Sequence, residues 1–317
     1  MLITYGRGPN GIEEQAGVKG AWVWAVKPAP EEIKRISETF DAPAELISAA
    51  LDPDERSRYE IEGDAILIIL RVPVTNRGEE LEVSVRRDIP YVTLPVGIVA
   101  TPKGIVTVTA YRLSMLADFA EGRVKGFNPE NQLRFVLQIF YSSALRYLRY
   151  LKDIESQTSE IERQLQVSQR NRELIRLLNY EKSLVYFSTS LRANHIMMER
   201  LRRTPFLRMA LAEEKELLED IIIDNTQALE MANIYTNILS GLMDAFASVI
   251  SNNVNAVMKS LTKVTIVLMI PTLVASFYGM NIALPFAESP MAFVYIMGAS
   301  ITLSVLTIWL FAGRRLK

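Results

Sequence analysis

Seven side chains recur at alternating steps of three and four residues: Asn255, Met258, Thr262, Thr265, Met269, Thr272 and Ser276, with Gly279 continuing the series. Each is an amide, a hydroxyl or a flexible thioether. That spacing sets them on one face of a helix with a 3.5-residue period. The residues between them, Val264, Val267, Ile270, Val274 and Phe277, form an apolar opposite face. Uncharged oxygens in an otherwise apolar helix need something polar to meet, either water or a neighbouring helix packed through small residues. Several copies arranged around an axis would bring such stripes together and line a pore. The same register continues downward through Ser251, Ser248, Asp244, Gly241, Asn237, Ile234, Glu230, Gln227, Ile223 and Asp220. A coiled-coil seam would carry Leu and Ile at these positions. This series is mostly polar, with carboxylates at Asp244 and Glu230, which suits a water-filled, electronegative vestibule. A straight helix drifts by ~20° per heptad against such a repeat, so Asp244 is the nearest of these extrapolations and Asp220 the most remote.

The elements that must hold this stripe are membrane-grade. Val264–Tyr278 is apolar or small-polar throughout, and Met291–Ala312 is an uncharged run of about 22 residues, enough to cross roughly 30 Å of hydrocarbon. Lys259, Lys263, Arg314, Arg315 and Lys317 flank one side of the pair, whereas "IALPFAESP" between them carries no Lys or Arg. The positive-inside rule then puts both termini in the cytoplasm of a cell-membrane protein, with a short outer loop. No basic start followed by an apolar run opens the sequence, so residues 1 to about 260 are expected to stay on the side of synthesis. From Met209 to Pro271 there is no proline and no glycine except Gly241. About 70 helical residues would extend roughly 100 Å, a stalk. Before it, residues 128–208 read as two long amphipathic helices, an antiparallel pair joined near Gln169. Residues 1–127 read as α/β. "AWVWAVKPA", "AILIILRVPV" and "GIVATPKGIVTVTA" supply strands; "APEEIKRISETFD", "AELISAALD" and "LSMLADFAEGRVKGF" supply short helices. The expected fold class is an α+β membrane protein. Its parts are an α/β domain over 1–127, a helix pair over 128–208 and a stalk over 209–263. A pore-lining helix over 264–281, an outer loop over 282–290, a second span over 291–312 and a basic tail over 313–317 complete it.

Composition excludes several chemistries. There are no cysteines among the 317 residues, which removes disulfides, Cys-zinc sites, iron–sulfur clusters and thiol catalysis. The one histidine, His195, sits in a helical segment and reads as a packing residue, since a lone imidazole makes neither a metal site nor a dyad. Thirty-five Lys and Arg against 36 Asp and Glu argue against wholesale nucleic-acid binding. The basic cluster Arg200–Arg208 reads as a solvated helix end. No phosphate loop and no nucleophile–base pair occurs, so no enzyme and no small-molecule substrate is expected.

Tyr278-Gly279-Met280-Asn281 after a threonine-bearing helix, with "NNVNAVMKSLT" below and a basic tail after a second span, resembles the CorA family of divalent cation transporters. The resemblance implies a homopentamer with a funnel-shaped cytoplasmic domain, its spans in the lipid bilayer. It makes Gly279, Met280 and Asn281 the selectivity filter at the outer mouth, and Asn255, Met258, Leu261, Met269 and Thr272 pore-lining. Asp220 matches a family position where Mg²⁺ between subunits holds the channel closed, and Asp224 lies one turn away. Mg²⁺ would then be both the transported and the regulatory ion. One departure stands out: the family's best-known branch has an acidic "MPEL" loop after Gly-Met-Asn, whereas Glu288 is the only acid in this loop. Magnesium holds its water tightly and prefers six oxygens around it. A ring of Asn281 amide oxygens and Gly279 carbonyls would accept hydrogen bonds from that water without replacing it. Pro271 lacks an amide hydrogen, so the Val267 carbonyl loses its helical partner and either bends the helix or faces the lumen. Three alternatives stay open: a Zn²⁺, Ni²⁺ or Co²⁺ transporter of the same fold, proton coupling, and a membrane-anchored sensor that no longer conducts.

Overall fold

The computed structural model describes residues 1–8, 11–15, 22–76, 88–167, 171–208, 210–280 and 290–313. It divides into two compact units, Met1–Gly241 and Leu242–Lys317.

The first unit is built on a sheet of β1 (Leu2–Gly8), β2 (Gly11–Gln15), β3 (Trp22–Val26), β4 (Arg58–Glu62), β5 (Ala65–Thr75), β6 (Tyr91–Thr101) and β7 (Gly104–Thr109). The order across the sheet is β2-β1-β3-β7-β6-β5-β4. All neighbours are antiparallel except β3 and β7. The period-2 pattern of the strands sends alternate residues to two separate cores. Val23, Ala25, Leu67, Ile69, Val99, Val106 and Val108 face α1 (Pro30–Phe40), α2 (Ala44–Ser48) and a 3₁₀ turn at Ala49–Leu51. Gly97 is required there, because a Cβ on it would stand 2.6 Å from the Cβ of Ala50. Trp22, Trp24, Ile68, Leu70, Val72, Val96 and Ile98 face the other way. They meet α3 (Ser114–Ala120), α4 (Gln132–Val167), α5 (Asn171–Leu201) and the first part of α7 (Ala212–Tyr278). A short α6 (Pro205–Arg208) precedes α7.

Tyr147 of α4 and Asn194 of α5 both meet the backbone of Arg71, while Asp153 and Ser183 both meet Tyr91. The long helices are therefore antiparallel. Asn194 also completes the sheet edge: β4 pairs with β5 only as far as Arg58 opposite Ile69. Beyond that point the Asn194 amide accepts from Arg71 N at 3.1 Å and donates to Arg71 O at 2.8 Å. Asn225 of α7 donates to Leu191 O at 3.0 Å and Ser240 to Glu181 at 2.9 Å, so α7 runs back along α5 in turn.

Local chemistry sets several boundaries. Pro30 opens α1, and Glu32 accepts from the Ala29 amide at 2.9 Å, closing its first turn. The segment expected to be helical from Leu113 to Phe127 stops at Ala120, because Gly122 turns the chain with φ +70°. "AELISAALD" is not one helix but α2 followed by the 3₁₀ turn. The stalk helix begins at Ala212; Met209 and Gln169 lie outside the described residues.

The second unit comprises the rest of α7 and α8 (Ala292–Gly313). Both helices are long and apolar enough to cross a membrane.

Candidate functional site

Within the second unit, Lys263, Val267, Ile270 and Val274 are half-buried, while their neighbours on α7 are exposed. These four mark the side that α7 turns inward. On α8 the less exposed positions are Ile296, Ser300, Ser304, Thr307 and Phe311, again one face. At 3.6 residues per turn, the stripe from Asn255 to Ser276 centres roughly 140° round α7 from the inward side. Asn255, Met258, Leu261, Thr262, Thr265, Met269, Thr272 and Ser276 are all exposed. Met269 retains 61% of its surface. Of the expected apolar face, Val267, Ile270 and Val274 lie on the inward side, whereas Val264 and Phe277 are exposed. Exposure alone distinguishes nothing on a membrane helix; the angular position does.

The hydroxyls of the stripe are already half committed. Thr262 donates to Met258 O at 2.9 Å, Thr265 to Leu261 O at 2.9 Å and Thr272 to Leu268 O at 3.1 Å. Each has spent its hydrogen on its own helix, so what it presents outward is oxygen lone pairs. A row of acceptors suits a ligand that arrives as a donor, such as the water shell of a cation. Thr302 and Thr307 of α8 bond their own helix in the same way, so face, not hydroxyl habit, sets the stripe apart.

At its upper end α7 closes with Gly279 N donating to Ala275 O at 2.9 Å and Met280 N to Phe277 O at 3.3 Å. A Cβ at position 279 would lie 3.3 Å from Ala275 O, closer than most side chains tolerate. Glycine thus keeps this last turn tight and its backbone approachable. Met280 is half-exposed. Asn281, Pro285 and Glu288 lie outside the described residues, as do Arg314, Arg315 and Lys317.

In the first unit α7 has two distinct sides. Leu218, Ile221, Asn225, Ala228, Ala232 and Leu239 are buried. Asp220, Ile223, Gln227, Glu230, Ile234, Asn237 and Gly241 are exposed, and they are the residues of the stripe's downward register in this segment. Asp244, in the second unit, is exposed too. Asp224 is half-buried, and its carboxyl is held above the ordinary aspartate range by partial burial first and the nearby Asp220 charge second. Among the described residues no group of three or more His, Asp or Glu stands ready to hold a metal ion. Asp220 and Asp224 therefore offer two carboxylates on one chain, short of a complete divalent site.

His195 is occupied by packing. Its Nδ1 lies 3.3 Å from Thr226 Oγ1, which itself donates to Ile222 O at 2.7 Å. With that hydroxyl hydrogen spent, the imidazole N–H is the donor of the pair. The clamp holding α7 against its neighbours was not foreseen from sequence. Besides Asn225 and Ser240 it includes Tyr235, whose hydroxyl donates to Glu155 at 2.9 Å. Burial and the Glu155 carboxylate push that phenol up to about 12. Glu214, 7% exposed, accepts from Leu211 N at 3.1 Å and begins the helix. The available signal was Asn225, a lone amide within the apolar series Leu218, Ile221, Ala228 and Ala232.

Comparison with known proteins agrees with this architecture. The cobalt/magnesium transport protein CorA of Methanocaldococcus jannaschii is 27% identical over 298 residues, which is 92% of this chain and 89% of that protein. The complete structure of the CorA magnesium transporter from the same organism superposes with a TM-score of 0.81 at 23% identity, covering 98% of this chain and 97% of that one. The full-length CmaX protein superposes at 0.71 with 18% identity, over 99% and 96% of the two chains. The family described as CorA-like Mg²⁺ transporter protein matches residues 19–315. This chain is a member of that family, whose business is membrane transport of a metal ion.

Proposed function

We propose that copies of this chain, five by the family resemblance, stand around an axis with the α7 stripes facing one another. They would form a membrane pore that takes up hydrated Mg²⁺. The observation that carries the reading is the placement of the stripe away from the inward side of α7, where nothing else among the described residues of the second unit covers it. Thr262, Thr265, Thr272 and Ser276 line the passage with acceptors, and Met258, Leu261 and Met269 form apolar collars that oppose a hydrated ion when the helices close in. Gly279 and Asn281 meet the ion's water shell at the outer mouth, with both chain termini in the cytoplasm. Asp244 adds negative charge below. On the cytoplasmic side Mg²⁺ bridges Asp220, with Asp224 beside it, to a neighbouring copy and holds the closed state.

The test is ion flux into proteoliposomes, compared across Mg²⁺, Co²⁺, Ni²⁺ and Zn²⁺, with hexa-ammine cobalt(III) as blocker. That exchange-inert ion is octahedral, resembles hexahydrated Mg²⁺ in size and presents N–H where water presents O–H. It should block wild-type uptake, and Asn281→Ala should lose both uptake and block. A conducting wild type that ignores the hexa-ammine ion would assign selection to direct contact with a dehydrated ion. The name of the archaeal relative favours Co²⁺ as a second cargo. A dedicated Zn²⁺ path has less support, because the chain has no cysteine and its one histidine is bonded to Thr226.

A further inference from the structure

One pair of polar groups in the second unit has no role in the stripe. Pro271 lies inside α7 and has no backbone N–H, so the Val267 carbonyl lacks the donor that a helix normally supplies four residues on. Val267 is not on the stripe but on the inward side of the helix. In hydrocarbon such a carbonyl must find another donor, and hydroxyls of neighbouring helices commonly provide it. On α8, Ser304 Oγ is buried and has no hydrogen-bond partner among the described residues. Ser300, one turn earlier, is 4% exposed, so this face of α8 is covered. Thr302 and Thr307 have given their hydrogens to Gly298 O and Leu303 O; Ser304 still has its own to give.

Depth brings the two groups to the same level. Val267 lies eleven residues before the end of α7 at Tyr278, and Ser304 twelve after the start of α8 at Ala292. A chain that crosses with one helix and returns with the next runs the two antiparallel; counted from helix ends set at one level, the two residues differ by one position, about 1.5 Å in height. The carbonyl of Val267 points up its helix, toward the level of Ser304 and Ser300.

We propose that Ser304 donates its hydroxyl hydrogen to the Val267 carbonyl when α7 bends at Pro271. Ser304 is then a positioning residue. Sitting on the far side from the stripe, it fixes how Thr272, Ser276 and Gly279 stand relative to Thr265 and Thr262 below the bend. Its effect on transport rests on the proposed function; the hydrogen bond itself does not, and is read separately in stability.

Ser304→Thr, Ser304→Val and Ser304→Ala decide the matter in the full-length protein, since Thr and Val share a shape and differ by one hydroxyl. Mg²⁺ uptake in proteoliposomes and thermal melting in detergent are the two readouts. Ala and Val should each slow uptake roughly three- to tenfold, the range of measured interhelical hydrogen bonds in membranes, and should lower the melting temperature. Thr should restore both. In a Pro271→Ala background the carbonyl regains its amide, and Ser304→Ala should change neither readout further. Wild-type behaviour of Ser304→Ala, equal behaviour of Val and Thr, or the same loss in both backgrounds would overturn the proposal. Should Pro271→Ala not assemble, the ordering of the three single variants decides alone. A wild type that takes up no ion removes the transport reading, while the melting series still judges the hydrogen bond.

Discussion

Asp224 shows how much one side chain can report. Its folded carboxyl binds a proton more readily than an ordinary aspartate, for which 3.8 is typical. A raised carboxyl favours the folded state below that ordinary value and loses the benefit as pH climbs through the raised one. At neutral pH Asp224 is therefore a burden on the metal-free protein. Asp224→Asn should raise the melting temperature in chelator at pH 7, with the gain fading as pH falls through the raised carboxyl value and gone below the ordinary one of 3.8. Burial first and the Asp220 charge second raise the Asp224 carboxyl, and Mg²⁺ placed beside the two carboxylates would relieve the second of these. Wild type should thus gain more melting temperature from Mg²⁺ than Asp224→Asn does. Asp220→Ala should weaken inhibition by internal Mg²⁺ and leave ion selectivity intact; unchanged inhibition would move the sensor elsewhere. A metal that binds only the closed state shifts gating by its differential affinity and nothing else.

At the scale of elements, the 3₁₀ turn and the sheet approach each other so closely at Gly97 that there is no room for a side chain. Gly97→Ala would drive a methyl into Ala50, where neither backbone can retreat cheaply. Overpacking of this kind costs about 1–3 kcal/mol, and a lowered melting temperature of the full-length protein would register it. The elements that sequence made legible are those with strong periodicity: the central strands β3, β5, β6 and β7, helix α1, the paired α4 and α5, and the two membrane-grade helices. Those that escaped had their signals diluted. β4 reads "RYEIE", a charged edge strand whose outer positions are exposed, so alternation looked like a polar loop. β1 reads "LITYGRG" and β2 "GIEEQ", where closely spaced glycines interrupt the alternation. Asn194 and Asn225 read as ordinary helix polars; only the fold reveals that one finishes a sheet edge and the other ties α7 to α5. On the candidate site, sequence set out a stripe and a register. It could not say which side of α7 is turned inward, because that depends on the half-buried quartet Lys263, Val267, Ile270 and Val274.

At the scale of the whole molecule the proposed pore is passive. A divalent ion moving inward gains about 4.6 kcal/mol per 100 mV of inside-negative potential, twice the value for a single charge. Uptake into vesicles should follow the imposed potential and ignore a proton gradient; flux that needs a pH gradient at zero potential would instead indicate proton coupling. The transport reading depends on the α7 stripe facing water. The sequence supplies the tool, since it contains no cysteine and each introduced thiol will be the only one. Single cysteines at Thr265, Met269 and Thr272, and on the other side at Val267, Ile270 and Val274, can be treated with a charged, membrane-impermeant thiol reagent during Mg²⁺ uptake. The account predicts that the first three react and that uptake stops, while the second three remain unmodified and keep conducting. Modification of Val267, Ile270 and Val274 with protection of the stripe would contradict it outright.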